Sequence, residues 1–306
     1  MKKLLFCNPR GPCAGVDRAL RIVEDALIQH GSPIFVNHEI VHNEFVIRDF
    51  EQKGVIFCKQ PHEIPENSVY IFSAHGVSPD LKKRAEENNL IIIDATCPLV
   101  TKVHHEAKMF TKKKKKILYI GHKNHPEALG VMGISDMILI ENAEQVAALV
   151  LTEEEQKNLT LLTQTTLSID ETSVIILALQ KKFPEVFVPK VQDICYATTN
   201  RQEAVKNLVQ KEKVEIVIVV GSEKSSNSRR LVEVAKNEGC ESYLIPSLQK
   251  ILEILPKLEN KNRIGLTSGA SVPEVLTQQI LQEIQKKYPE ISVEEISGKK
   301  EDVIFL

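Results

Sequence analysis

The sequence predicts an α/β protein with parallel sheets, organised as three similar α/β domains around a common centre. Short apolar runs recur along the chain, each followed by a polar loop and a helix start, which is the pattern of parallel strands joined by helices. The loops that follow these runs carry Cys, His, Ser, Thr, Asn and Glu, and parallel sheets bind ligands beyond the carboxyl ends of their strands. Three cysteines in such loops, Cys13, Cys97 and Cys195, stand 84 and 98 positions apart, as three comparable units each presenting one thiol would place them.

The elements follow in order. Residues 3–6 form a strand before Asn8-Pro9-Arg10-Gly11-Pro12-Cys13-Ala14-Gly15, and residues 34–36 a strand before a loop reaching Asn43. Residues 69–72 precede Ser73-Ala74-His75-Gly76, and Ser78-Pro79 reads as an N-cap with proline at the first helical position. Residues 90–93, apolar and mostly β-branched, read as a buried strand; Asp94-Ala95-Thr96 turns off its end and Cys97 sits where a helix begins at Pro98. A thiol there meets the positive end of a helix dipole, which favours the thiolate. Further strands are expected at 117–120, 137–140, 159–162, 186–188, 216–220, 243–245 and 264–267. Ser168-x-x-Glu171, Thr199-x-x-Gln202 and Ser271-x-x-Glu274 fit capping boxes, and the terminal Val303-Ile304-Phe305-Leu306 reads as a strand that joins an earlier sheet. The expected domains are 1–96, with a tail at 285–306 packing back on it, 97–193 and 194–284.

Composition narrows the function. The 306 residues are 42% apolar and 26% charged with net charge −2, so no global field recruits nucleic acid or an anionic membrane. No apolar run approaches the roughly 18 residues of a membrane span, and the apolar start is cut short at Cys7-Asn8-Pro9-Arg10, so a cytoplasmic protein is expected. Six cysteines are too sparse for a disulfide scaffold and point to catalysis or metal binding. Cys7, Cys58 and Cys240 lack polar company and read as buried thiols. The five lysines of 112–116 read as a solvated loop.

His38-Glu39-Ile40-Val41-His42 matches the H-E-x-x-H pattern of zinc hydrolases, but that motif needs a helix and this segment follows a strand; His42 reads better as a loop histidine at a shared site. His75 follows a strand, and His125-Pro126-Glu127 places a cation and a proton donor together at another strand end. Gln164-Thr165-Thr166, Ser225-Ser226-Asn227 and Ala270-Ser271 supply hydroxyls and an amide at helix starts, where anions bind. No P-loop or dinucleotide fingerprint is present, which disfavours nucleotide hydrolysis and a bound nicotinamide. Three widely spaced thiols without a C-x-x-C pair suit an iron–sulfur cluster with one iron left open better than structural zinc. A zinc-dependent hydrolase using His38 and His42 and a redox-sensing binding protein acting through Cys97 are the alternatives.

With these motifs in order from residue 4 to about 275, including Asp94-Ala95-Thr96-Cys97-Pro98-Leu99-Val100 and Asp193-Ile194-Cys195-Tyr196-Ala197-Thr198-Thr199-Asn200-Arg201-Gln202, the chain resembles 4-hydroxy-3-methylbut-2-enyl diphosphate reductases of the non-mevalonate isoprenoid route. The resemblance implies three α/β domains around one 4Fe-4S cluster per chain, with Cys13, Cys97 and Cys195 as its ligands and the fourth iron open to the substrate hydroxyl. It implies that His42, His75, His125, Ser225, Ser226, Asn227 and Ser271 hold the allylic diphosphate. Glu127 is implied as the proton donor, and Thr165 as the hydroxyl that positions or relays the proton. Ferredoxin or flavodoxin is the implied electron donor, and isopentenyl and dimethylallyl diphosphate are the implied products.

Overall fold

Each strand begins where a β-branched or aromatic run starts and stops where a polar or glycine-containing loop takes over. The computed structural model describes residues 2–189 and 193–305. In chain order the strands are β1 (Lys3–Cys7), β2 (Ile34–Asn37), β3 (Val55–Cys58), β4 (Val69–Phe72), β5 (Ile91–Asp94) and β6 (Lys116–Ile120). They continue with β7 (Met137–Ile140), β8 (Leu159–Thr163), β9 (Ile216–Val220), β10 (Glu241–Ile245), β11 (Arg263–Ser268) and β12 (Ser292–Ile296). These strands make three sheets, ordered β10-β9-β11-β1-β12, β3-β2-β4-β5 and β7-β6-β8, and every pairing is parallel. The α/β class with parallel sheets is therefore as expected.

The chain divides into two compact units. One comprises Met1–Asp17, Val41–Phe50 and Tyr196–Leu306, and contains the five-stranded sheet. Its interior strand β9 shows the period-two logic of a sheet covered on both faces. Ile216, Ile218 and Val220 pack with Ile280 and Ile284 of helix Glu274–Lys287. Val217 and Val219 face the other way, onto Val205 and Leu208 of helix Tyr196–Gln210 and Leu231 and Val234 of helix Ser226–Asn237. All five β9 residues are fully buried, each side chain contributing about 1.5–3 kcal/mol relative to exposure. The second unit comprises Arg18–Ile40 and Glu51–Cys195 and holds the other two sheets. There Leu118, Ile120 and Leu161 pack on helix Ile169–Lys182, while Ile117, Tyr119 and Leu162 pack on Val103, Ala107 and Phe110 of helix Pro98–Lys112.

Several local expectations differ from the structure. β5 is an edge strand rather than a buried one, paired only with β4, and Ile91 is 47% exposed. β1 pairs with β12, in the tail expected to pack on the first segment, but also with β11, from the segment 194–284 expected to stand apart. The C-terminal strand is β12, whereas residues 303–305 form no strand and Leu306 lies outside the described residues. Around Val186–Val188 only a single bridge forms, between Phe187 and Thr160. Thr199 lies inside helix Tyr196–Gln210, and the helix at Glu274 is preceded by Pro273 with no side-chain cap, so neither hydroxyl makes the expected capping box. Ser78 and Ser168 do cap, accepting the backbone N–H of Leu81 and Glu171.

Candidate active site

Apart from Cys195, which stands directly before helix Tyr196–Gln210 with no strand directly ahead of it among the described residues, the site residues expected from the sequence lie in segments that follow a strand's carboxyl end. Cys13 follows β1, Ser225 to Asn227 follow β9 and Ser271 follows β11, three adjacent strands of one sheet. His75 follows β4, Cys97 follows β5, His125 and Glu127 follow β6, and Thr165 follows β8.

In the second unit these residues form one connected set. Glu127, at the second position of helix Pro126–Met132, is 2% exposed. Its Oε1 accepts the backbone N–H of Thr165 at 2.7 Å, and its Oε2 meets the Thr165 hydroxyl at 2.9 Å. Burial pushes its carboxyl up to about 7; the two Thr165 bonds pull against that shift and the charge of Asp193 adds to it. A carboxyl in that range carries a proton for a useful fraction of time at neutral pH. The N-cap of the same helix is His125, whose Nδ1 accepts the Glu127 N–H at 3.2 Å, which leaves the ring proton on Nε2 as an outward donor. The His125 ring packs edge-to-face on His75, with centroids 5.7 Å apart, and His75 Nδ1 in turn meets Ser73 Oγ at 3.2 Å. The thiols join the same set through backbone: the Cys195 N–H donates to Thr165 O at 3.0 Å and the Cys97 N–H to Ala74 O at 3.0 Å.

The other unit presents Cys13, His42, Ser225, Ser226, Asn227 and Ser271. Ser225 caps helix Ser226–Asn237 by accepting the Ser228 N–H. Helix and strands meet closely here because Gly221 and Gly269 have no side chain; a Cβ on either would collide with Ser228. Ser271 Oγ donates to His42 O at 3.1 Å, tying the two loops. Asn227 is 4% exposed, yet neither its amide nitrogen nor its oxygen finds a partner among the described residues. A buried carboxamide left unpaired is costly unless a ligand supplies the partners.

The cysteines fall into two groups. Cys13, Cys97 and Cys195 each stand immediately before a helix, at Ala14, Pro98 and Tyr196, and none of the six cysteines is in a disulfide. Burial raises the Cys13 thiol overall, and the Arg201 guanidinium and the N–H groups of Val16 and Gly15 offset only part of that rise. Burial raises the Cys7 thiol to about 12 and that of Cys58 to about 11, and it also raises Cys240; these donate to carbonyl oxygens and remain inert. No group of three or more His, Cys, Asp or Glu close enough to hold a bare metal ion occurs among the described residues.

No helix covers residues 38–43, and His38 has φ of +53°, so His38 and His42 do not stand one helical turn apart as a zinc peptidase requires. Sequence reading missed Arg201. It is 1% exposed and lies four positions after Ala197 and three before Ala204, both buried, so an arginine at the buried period of that helix was the available signal.

The chain is similar to known proteins over nearly its whole length. A family model described as LytB protein matches residues 4–285. A 4-hydroxy-3-methylbut-2-enyl diphosphate reductase of Nitrosomonas europaea is 49% identical, covering all of this chain and 96% of the relative. One of Proteus mirabilis is 47% identical over 99% of this chain and 95% of the relative. The solved structure of the Plasmodium falciparum E-1-hydroxy-2-methyl-but-2-enyl-4-diphosphate reductase superposes with a TM-score of 0.94 at 37% identity, covering 99% of this chain and 94% of the other.

Proposed function

The chain belongs to the LytB protein family, and on that footing we propose that it reductively dehydroxylates 4-hydroxy-3-methylbut-2-enyl diphosphate to isopentenyl and dimethylallyl diphosphate. The observation that carries the reading is the buried Glu127 carboxyl, pushed up to about 7 by burial and held at both oxygens by Thr165. Replacing the hydroxyl by hydrogen consumes two electrons and two protons and releases water, so a positioned proton donor for the leaving hydroxyl speeds the step.

Cys13, Cys97 and Cys195 are assigned to a single 4Fe-4S cluster, and the residues present fit it: three thiols at helix starts with no fourth. When bound, such a cluster supplies Lewis acidity at the substrate oxygen and electrons received from ferredoxin or flavodoxin. Glu127 gives its proton to the departing hydroxyl. With the carboxyl ionised, the Thr165 hydroxyl donates to Oε2; with the carboxyl protonated, the same 2.9 Å contact carries the bond in reverse, and the hydroxyl proton is free to pass on. His125 and His75, with His42, Ser225, Ser226, Asn227 and Ser271, are assigned to the diphosphate as hydrogen-bond donors, and Asn227 enters that role with its amide unspent. Among the described residues no helix is long and apolar enough to cross a membrane, and a cytoplasmic setting suits a carrier-fed reductase.

The test is an anaerobic assay with reduced methyl viologen and the allylic diphosphate. Viologen oxidation with formation of both products is expected. Iron- and sulfide-loaded protein that oxidises no viologen overturns the reading and favours a redox sensor acting through Cys97.

A further inference from the structure

We infer that Glu301, acting through Arg201, is a positioning residue for Cys13: the C-terminal segment is a strap over the loop that presents this thiol. The inference rests on the cofactor reading above for its purpose, though not for its geometry. The strap begins where β12 ends. The Asn8 N–H donates to Ile296 O at 2.9 Å, and a Cβ on Gly298 would collide with the Asn8 carbonyl oxygen, so the chain can cross there only as glycine. Arg10 ties the same stretch from the loop side, donating to Glu295 at 2.9 Å, Glu274 at 3.0 Å and Asn8 Oδ1 at 2.6 Å.

The far end is anchored inside the protein. Arg201 Nη1 meets both carboxylate oxygens of Glu301, at 2.9 and 3.1 Å, and Asn200 Nδ2 adds a third bond to Glu301 at 3.1 Å. The same guanidinium donates through Nη2 to Gly11 O at 2.9 Å. Gly11 is two residues from Cys13 and has φ of +70°. The loop is also tied by the Gly11 N–H on Ser268 Oγ at 2.8 Å, the Cys13 N–H on Ala270 O at 3.3 Å and the Asp17 N–H on Cys13 O at 2.9 Å. The Arg201 side chain is 1% exposed and that of Glu301 15%. A cation that deep is tolerable only while its carboxylate stays. Without Glu301 the guanidinium is left buried and uncompensated, and its hold on the Gly11 carbonyl weakens. A ligand thiol placed loosely holds a shared metal group poorly.

The experiment compares the parent with Glu301→Ala, Glu301→Gln and Glu301→Asp, all full length. In metal-free protein, hydrogen–deuterium exchange at the Gly11 and Cys13 amides is expected to rise roughly tenfold in Glu301→Ala, less in Glu301→Gln, and to return towards parent in Glu301→Asp, with exchange in β9 unchanged. In cluster-loaded protein, chelator-driven bleaching of the visible band is expected to follow the same order. Unchanged exchange at Gly11 and Cys13, or exchange that rises equally in β9, overturns the strap. If the parent takes up no iron and sulfide, the cofactor reading fails, and the amide exchange still decides whether Glu301 positions this loop.

Discussion

Glu127 and Thr165, 38 positions apart in the chain, meet through both carboxylate oxygens, one on the Thr165 backbone nitrogen at 2.7 Å and one on its hydroxyl at 2.9 Å. Backbone anchoring fixes the carboxyl while leaving a hydroxyl, which both donates and accepts, as a route by which its proton can leave. In steady-state assay, Glu127→Gln is expected to lose about 10²–10⁴-fold in turnover with little change in KM. A near-parent rate would remove Glu127 from the proton-donor role.

Thr165→Val keeps the backbone bond to Oε1 and removes the hydroxyl bond to Oε2. That bond favours the ionised carboxyl, so its loss moves Glu127 above its present value of about 7. Activity depends on the protonated form and falls as pH rises through this value. The alkaline limb of the pH–rate profile is therefore expected to shift upward in Thr165→Val while its plateau drops, and Thr165→Ser is expected to restore both.

The same carboxyl predicts a stability signature. Its folded value, about 7, lies above its ordinary value of 4.5, so folding is favoured most below 4.5 and loses support as pH rises to 7. The loss amounts to about 3 kcal/mol. Denaturant unfolding of metal-free protein between pH 4.5 and 7.5 is expected to show this decline in the parent and a flatter profile in Glu127→Gln.

Asn227 predicts opposite effects on folding and binding. Its buried amide has no partner among the described residues, so Asn227→Ala removes an unsatisfied group worth about 1–3 kcal/mol and leaves the melting temperature of ligand-free protein unchanged or higher. KM for the diphosphate substrate is expected to rise at least about tenfold, as loss of hydrogen bonds to a charged group implies. A lower melting temperature with unchanged KM would make Asn227 a structural residue.

The sequence made the chemistry legible because it is written locally. Cys97-Pro98, Ser78-Pro79 and His125-Pro126-Glu127 each join a strand end to a helix start within a few residues, and that junction fixes where the side chain stands. Beyond the tail at 285–306 being expected on the first segment, long-range choices were illegible. The β-branched run at β5 announces a strand but not that it lies at an edge, which depends on the order of four strands. β12, Ser-Val-Glu-Glu-Ile, is a poor strand by composition and exists because β1 offers it a partner, whereas the more apolar terminus has none in a sheet. Thr199 and Ser271 carry cap residues at cap-like spacing, but their helices begin at Tyr196 and Glu274. Nothing at Glu301 marks a partner a hundred positions away in Arg201.

The most direct test of the account is iron and acid-labile sulfide analysis of protein purified without oxygen, alongside Cys→Ser variants at all six thiols. The account predicts a brown protein with about four iron and four sulfide per chain, lost on substitution of Cys13, Cys97 or Cys195 and retained on substitution of Cys7, Cys58 or Cys240. A colourless parent, or one whose iron survives loss of any of the first three thiols, would contradict it.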